Sequence, residues 1–163
     1  KEKIEEIRFI KPSIHPTEED FAYLAGFIED EGCFRIKSWK PKNRPNKVYN
    51  ISLEIGNTRF PVFPWLMDRF GGNLSFIEKK ERKRAAVIWS IQSESLEKIL
   101  NFIYPYLRTR KKLVCEQLIE FCKTVLPNGG DRHSSDFNNH MIAVLAKRED
   151  LIQKIHVLNK KGD

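Results

Sequence analysis

A chain of 163 residues makes one domain or at most two small ones, long enough to bury a real core and too short for a multidomain machine. With 40% hydrophobic, 11% aromatic and 31% charged residues, the composition excludes a disordered tail and a fibrous repeat. The 29 Lys and Arg residues outnumber the 22 Asp and Glu, and the resulting +7 points to a polyanionic partner, most commonly nucleic acid.

The opening stretch, KEKIEEIRF, has no signal-peptide core, and no window approaches the roughly 20 apolar residues of a membrane span. A soluble, intracellular protein is expected, in an organelle or a bacterial or archaeal cytoplasm. The first helix is announced by Thr17, an N-cap residue with Asp20 three places on, and runs from about Glu18 to Glu31 before Gly32 stops it. From Cys33 to Trp39 the residues alternate, Phe34 and Ile36 against Arg35, Lys37 and Trp39, as in a strand with one buried and one open face. Beyond the turn at 41–45, Ile51, Leu53 and Ile55 alternate with Asn50, Ser52 and Glu54, making the second strand of an antiparallel pair.

A short helix carries Val62, Phe63, Leu66, Met67 and Phe70 at helical spacing and ends at Gly71-Gly72. The alternation then returns: Leu74 and Phe76 against Ser75 and Ile77, a basic loop at 79–84, and Val87, Trp89 and Ile91 against Ile88, Ser90 and Gln92. The remainder reads as helices, at about 94–104, 110–125 after the N-cap residue Thr109, and 136–159. The order αββαββ followed by helices predicts a single α+β domain over 1–163, with a four-stranded antiparallel sheet whose open face is polar and basic.

Cys33, Cys115 and Cys122 are an odd number and form no disulfide framework; Cys115 and Cys122, seven apart in a helical pattern, share a face and suit core packing. His133 and His140 do not complete a zinc spacing with them. Lys40, Lys42 and Arg44 lie in the turn of the first hairpin, and Lys79, Arg82 and Arg84 in that of the second. Either loop alone is ordinary solvated charge. Two such hairpins in one sheet fit a ribbon entering a major groove, with the cations on phosphates and the outward side chains on bases. That reading face comprises Arg35, Lys37, Trp39, Asn50, Ser52, Glu54, Ser75, Ile77, Ile88, Ser90 and Gln92, with Ile77 and Ile88 as expected cross-strand partners facing thymine methyls.

The first helix is apolar nearly all round. Phe21, Leu24, Ala25 and Ile28 form one stripe and Ala22, Tyr23, Gly26 and Phe27 another, so it is buried on more than one side. Ala22 and Gly26, four apart, are small enough to admit a second backbone. An ordinary central core helix has the same pattern, and the local sequence decides between the two. The segment Leu24-Ala25-Gly26-Phe27-Ile28-Glu29-Asp30-Glu31-Gly32 closely resembles the LAGLIDADG motif of homing endonucleases, with Tyr23 before it and Cys33-Phe34 after it also in keeping. Gly71-Gly72 and the stretch Tyr104-Pro105-Tyr106-Leu107-Arg108-Thr109-Arg110-Lys111-Lys112 extend the resemblance over nearly the whole chain. It departs from the motif in having Glu, not Asp, at the sixth and eighth positions, Glu29 and Glu31.

This resemblance implies an αββαββα core whose curved sheet forms a DNA-binding saddle, followed by further helices. One motif copy implies a homodimer, the two motif helices packed through Ala22, Tyr23 and Gly26, which brings two Glu31 carboxylates together at two helix C-termini. Like charges at the negative ends of helix dipoles favour bound divalent cations, with Mg2+ expected on Glu31 and on the backbone carbonyl of Asp30. By the same resemblance, Asn57 or Arg59 occupies the catalytic place at the end of the second strand, and Arg110, with Lys111 as the alternative, leans toward the scissile phosphate. The implied activity is site-specific double-strand cleavage of a long, roughly palindromic target in intron homing. An RNA-binding maturase and a non-cleaving DNA-binding regulator are the alternatives on this fold; retention of Glu31 ranks the regulator last. An HNH nuclease built on His133, Asn138, Asn139 and His140 lacks its ββα context.

Overall fold

The computed structural model describes residues 4–43, 46–57, 61–77, 86–124 and 135–160. In chain order the elements are β1 (Ile4–Ile10), α1 (Glu18–Glu31), β2 (Gly32–Trp39), β3 (Val48–Asn57), α2 (Val62–Phe70), β4 (Gly72–Ile77), β5 (Ala86–Gln92), α3 (Ser93–Ile103), a 3-10 turn (Tyr104–Tyr106), α4 (Arg110–Cys122) and α5 (Ser135–Lys160). The strands form one antiparallel sheet in the order β1-β4-β5-β3-β2.

The four expected strands are there, and a fifth flanks them. β1 pairs with β4 from Ile4 opposite Ile77 to Ile10 opposite Gly72, with a register shift between Ile7 and Ile10. Its sequence, IEEIRFI, spaces Ile4 and Ile7 by three and sets two glutamates between them, which obscures the two-residue alternation of a strand. The shift in register breaks the alternation as well.

The alternation elsewhere builds the core. Phe34 and Ile36, Ile51, Leu53 and Ile55, and Val87, Trp89 and Ile91 are buried on one sheet face. They join Leu24, Ala25 and Ile28 of α1 and the apolar stripes of α2, α3, α4 and α5 in one continuous cluster. The sheet is thus covered by helices on one side, and the outward residues of β2, β3, β4 and β5 make the other. Two glycines hold the entry to β4. Gly71 and Gly72 have φ of 64° and 105°, and a Cβ on them would lie 2.3 Å from the Ile10 carbonyl and 2.5 Å from that of Ser90. The Trp89 indole N–H donates to the Gly71 carbonyl at 2.7 Å, which satisfies a polar group buried beside the largest core side chain.

Cys115 is fully buried, and burial pushes its thiol up to about 12; burial likewise pushes Cys122 up to about 11. Both behave as small apolar residues on α4. α5 runs beneath β2 and α4. Its Glu149 accepts from Lys47 at 2.7 Å and from the Tyr49 hydroxyl at 3.2 Å, and Asn159 donates to the Phe34 carbonyl at 2.9 Å. Among the described residues, no helix is long and apolar enough to cross a membrane.

Candidate active site and nucleic-acid interface

The acidic end of α1 is positioned from both directions. At its start, the Thr17 hydroxyl accepts from the Asp20 amide at 3.3 Å and the Asp20 carboxylate accepts from the Thr17 amide at 2.9 Å, a reciprocal cap. Arg69 on α2 then bonds Asp20 at 2.7 Å, so the cap also ties two helices together. The Asp20 carboxyl is held below the usual range, chiefly by the Thr17 amide, with Arg69 adding to it against a desolvation penalty.

At the other end the chain passes straight from helix to strand at Gly32. A Cβ there would lie 2.6 Å from the Ile28 Cα and 2.9 Å from its carbonyl oxygen, so only glycine lets β2 leave this close to the last turn. Asp30 and Glu31, the last residues before that turn, are both exposed.

The last turn of α1 carries no basic residue of its own to meet its carbonyls. Lys111, in the first turn of α4, supplies the charge: its ammonium donates to the Ile28 carbonyl at 2.6 Å and to the Glu29 carbonyl at 2.9 Å. The exchange is returned by the Glu29 carboxylate, which accepts from the Arg108 and Thr109 amides and from the Thr109 hydroxyl at the head of α4. The negative end of one helix and the positive end of another are thereby clasped by one side chain from each. Burial works to raise the Glu29 carboxyl, but the hydrogen bonds from Thr109 and the Arg108 and Thr109 amides, with the charge of Lys111, outweigh it and hold the group below its ordinary range.

These contacts define different places for the two basic candidates. Lys111 braces the backbone of the motif helix rather than standing open beside it. Arg110 opens α4 and is half-buried. Asn57 closes β3, two residues beyond the rung that pairs Gly32 with Ile55, and so lies at the border of the sheet from which Glu31 departs. Arg59 lies outside the described residues. Glu29 is a site residue that spacing alone missed. Its acidic character in the motif was visible, but its partners are 79 and 80 positions away.

The open sheet face is polar. Arg35, Lys37 and Trp39 on β2 are exposed, as are Lys40 and Lys42 beyond it. In register they stand beside β3, with Arg35 opposite Ser52, Lys37 opposite Asn50 and Trp39 opposite Val48. Asn50 donates to Gln92 at 3.0 Å and accepts from the Ser93 hydroxyl at 2.9 Å, while Arg35 pairs with Glu54 at 3.0 Å. Ser75, Ile77, Ile88 and Ser90 are half-buried on β4 and β5. Arg44, Lys79, Arg82 and Arg84 lie outside the described residues.

Two expectations for this face need correction. Ser52 is only 5% exposed, flanked in register by Arg35 and Gln92, whose long side chains crowd a small residue on a central strand; it is not offered to a ligand. Ile77 and Ile88 are not opposite each other. Ile77 pairs with Ala86 and Ile88 with Ser75, which leaves the two isoleucines as diagonal neighbours, because the β4–β5 register is offset by two residues from the expected one.

On the outer face of α1, Tyr23 is 55% exposed, and a Cβ built on Gly26 would meet nothing within 4 Å. Ala22 is half-buried, and Tyr23 packs edge-on to Trp65 of α2 and to Phe27, with ring centres 4.8 and 5.1 Å away.

Among the described residues no group of three or more His, Cys, Asp or Glu side chains converges. What one chain offers at the end of α1 is an oxygen set, the Glu31 carboxylate with the Asp30 backbone next to it. Such hard donors suit Mg2+ or Ca2+ and not a soft metal.

An open polar sheet face bordered by the acidic end of a braced helix defines the class: an α+β domain with helices on one side of an antiparallel sheet. The sequence profile of the family described as LAGLIDADG endonuclease matches residues 24–124, well over half of the chain. The chain belongs to the LAGLIDADG endonuclease family. Among solved structures, the homing endonuclease I-CvuI in complex with the I-CreI target is 19% identical and superposes with a TM-score of 0.65 over 90% of this chain and 85% of that one. The archaeal intron-encoded homing endonuclease I-Vdi141I, complexed with DNA, is 16% identical with a TM-score of 0.64, covering 90% and 87%. The homing endonuclease I-TnaI is 14% identical with a TM-score of 0.59, covering 90% and 96%. These likenesses concern the fold. No curated protein matches the sequence.

Proposed function

We propose that this chain is one half of a homodimeric, divalent-cation-dependent endonuclease that cuts both strands of a long, roughly palindromic DNA target in intron homing. The observation that carries the reading is the braced, exposed end of α1, where Glu31 stands at the border of the open sheet face in a chain of the LAGLIDADG endonuclease family.

In this reading, Tyr23, Gly26 and Ala22 form the contact between two copies, since Gly26 has open space above it and lets a second helix come close. Glu31 and the Asp30 carbonyl hold the cation, Mg2+ in the cell. What a divalent cation supplies there is charge neutralisation at the attacked phosphodiester and its departing oxygen. Lys111 and Glu29 keep the end of α1 fixed relative to α4, so that the Glu31 carboxylate would keep its place toward the cation without reorganising. Arg110 is proposed to face the DNA backbone, with Asn57 or Arg59 in the catalytic place at the end of β3, and the outward side chains of β2 to β5 to lie over the bases. I-CvuI has been crystallised with DNA in the presence of Mg and of Ca, and this chain is proposed to use the same type of ion.

The test is Glu31→Gln, assayed on the target formed by joining the sequences that flank the reading frame. Cleavage in Mg2+ should fall by more than the roughly 10–100-fold that loss of an outer-shell partner costs, with DNA binding retained. Cleavage at the normal rate rejects the assignment. Pairing is checked separately, by a DNA-free mass twice the 19.2 kDa of one chain.

A further inference from the structure

An acidic side chain on a surface meant for phosphates lowers affinity, so Glu54 needs a reason to be there. It stands on the rung Cys33, Glu54, Ser90, Asn73, next to the rung Arg35, Ser52, Gln92, and reaches diagonally to Arg35. The contact joins Arg35 Nε to Glu54 Oε2 at 3.0 Å, with the two side chains 50% and 25% exposed. As a surface ion pair, its worth to folding is small.

Its geometry is more telling. The ion pair runs through Nε, which leaves the two terminal nitrogens of the guanidinium for another partner. Those two parallel donors are the ones that grip O6 and N7 of a guanine. Beside them the carboxylate keeps a second oxygen that can accept. The pair therefore offers two donors and a neighbouring acceptor. A G·C pair shows acceptor, acceptor, donor in the major groove, from guanine N7 and O6 and cytosine N4, whereas an A·T pair shows acceptor, donor, acceptor and sets the thymine O4 against the carboxylate. Pairing with Glu54 also biases the long Arg35 side chain before DNA arrives, which lowers part of the ordering cost of binding.

We infer that Arg35 and Glu54 act as one unit that reads a single G·C base pair in each half-site, Arg35 as the specificity residue and Glu54 as its positioning residue and cytosine acceptor. The unit rests on the reading that the open sheet face meets DNA. Glu54 neighbours Ile55, the partner of Gly32, so the base pair it reads lies toward the cleaved centre of the target, inside those met by Lys37 and Asn50.

The experiment is selection from a duplex library randomised across one half-site, with the wild type, Arg35→Ala, Glu54→Ala and Glu54→Gln compared. The wild type should fix G·C at one inner position. Arg35→Ala should lose that preference, and Glu54→Ala should weaken it by about ten- to a hundredfold at that position alone. Glu54→Gln, which keeps an acceptor for Arg35, should fall between them. Binding of a non-specific duplex should be equal or tighter in Glu54→Ala, since a negative charge has gone. An unchanged preference in Glu54→Ala, or an equal loss at every position as a structural role would give, overturns the inference while leaving DNA recognition standing. Failure of the wild type to enrich any duplex overturns both.

Discussion

Removing the Glu29 carboxylate tests the clasp between α1 and α4 directly. In Glu29→Ala, the Arg108 and Thr109 amides and the Thr109 hydroxyl lose their acceptor, and the head of α4 loses a nearby negative charge. A hydrogen bond to a charged group contributes about 1.5–3 kcal/mol, but these donors lie near the surface and water replaces part of what is lost. An anion at a helix N-terminus adds about 0.3–1 kcal/mol. The expected loss is about 2–3 kcal/mol, or a fall in Tm of about 5–10 °C for a chain of this size. Thermal unfolding should be followed at one protein concentration, because the melting of the proposed dimer would depend on it.

The pH dependence supplies an internal control. The folded Glu29 carboxyl lies below its ordinary value of 4.5, so its contribution is complete above that value and is lost as pH falls through the folded pKa. The Tm gap between wild type and Glu29→Gln should therefore narrow in acid. A fall in Tm under about 2 °C in Glu29→Ala, or a gap to Glu29→Gln that is constant from neutral pH to about pH 3, would refute the clasp.

Gly32→Ala places a methyl 2.6 Å from the Ile28 Cα, so α1 and β2 must separate; a loss of about 1–3 kcal/mol in urea unfolding is expected, with cleavage reduced because Glu31 moves with the helix end. Trp89→Phe removes the donor to the Gly71 carbonyl in a fully buried site and leaves a small void, and a loss of about 2–4 kcal/mol should appear in the same assay.

Much of this fold could be read from local chemistry. Thr17 and Asp20 marked the start of α1, and Thr109 that of α4, because caps use side chains within three residues of the backbone they satisfy. The buried and open faces of β2, β3 and β5 followed from a period of two. What escaped depends on contacts between distant residues. β1 owes its existence to the edge of β4 rather than to its own pattern. The β4–β5 register, which separated Ile77 from Ile88, escaped because alternation is blind to a slip of two. Ser52 alternates correctly and is still buried, because its accessibility is decided by Arg35 and Gln92 on other strands. At the site, the resemblance pointed to Glu31 and to Arg110, with Lys111 as the alternative. Only the packing of α4 against α1 distinguishes a lysine that braces a helix from an arginine beside it.

β3 is ten residues long, Val48–Asn57. An extended strand advances about 3.4 Å per residue, and duplex DNA advances about 3.4 Å per base pair. A strand lying along a groove therefore keeps step with the base pairs, as a ruler whose graduations match its object, with one outward side chain to every second base pair. Neighbouring strands, offset across the groove, fill the intervals. In the proposed complex, exchanging outward side chains would retune what is read and leave the step intact. Inserting a single residue in β3 would shift every later side chain by one graduation and turn it to the opposite face of the sheet.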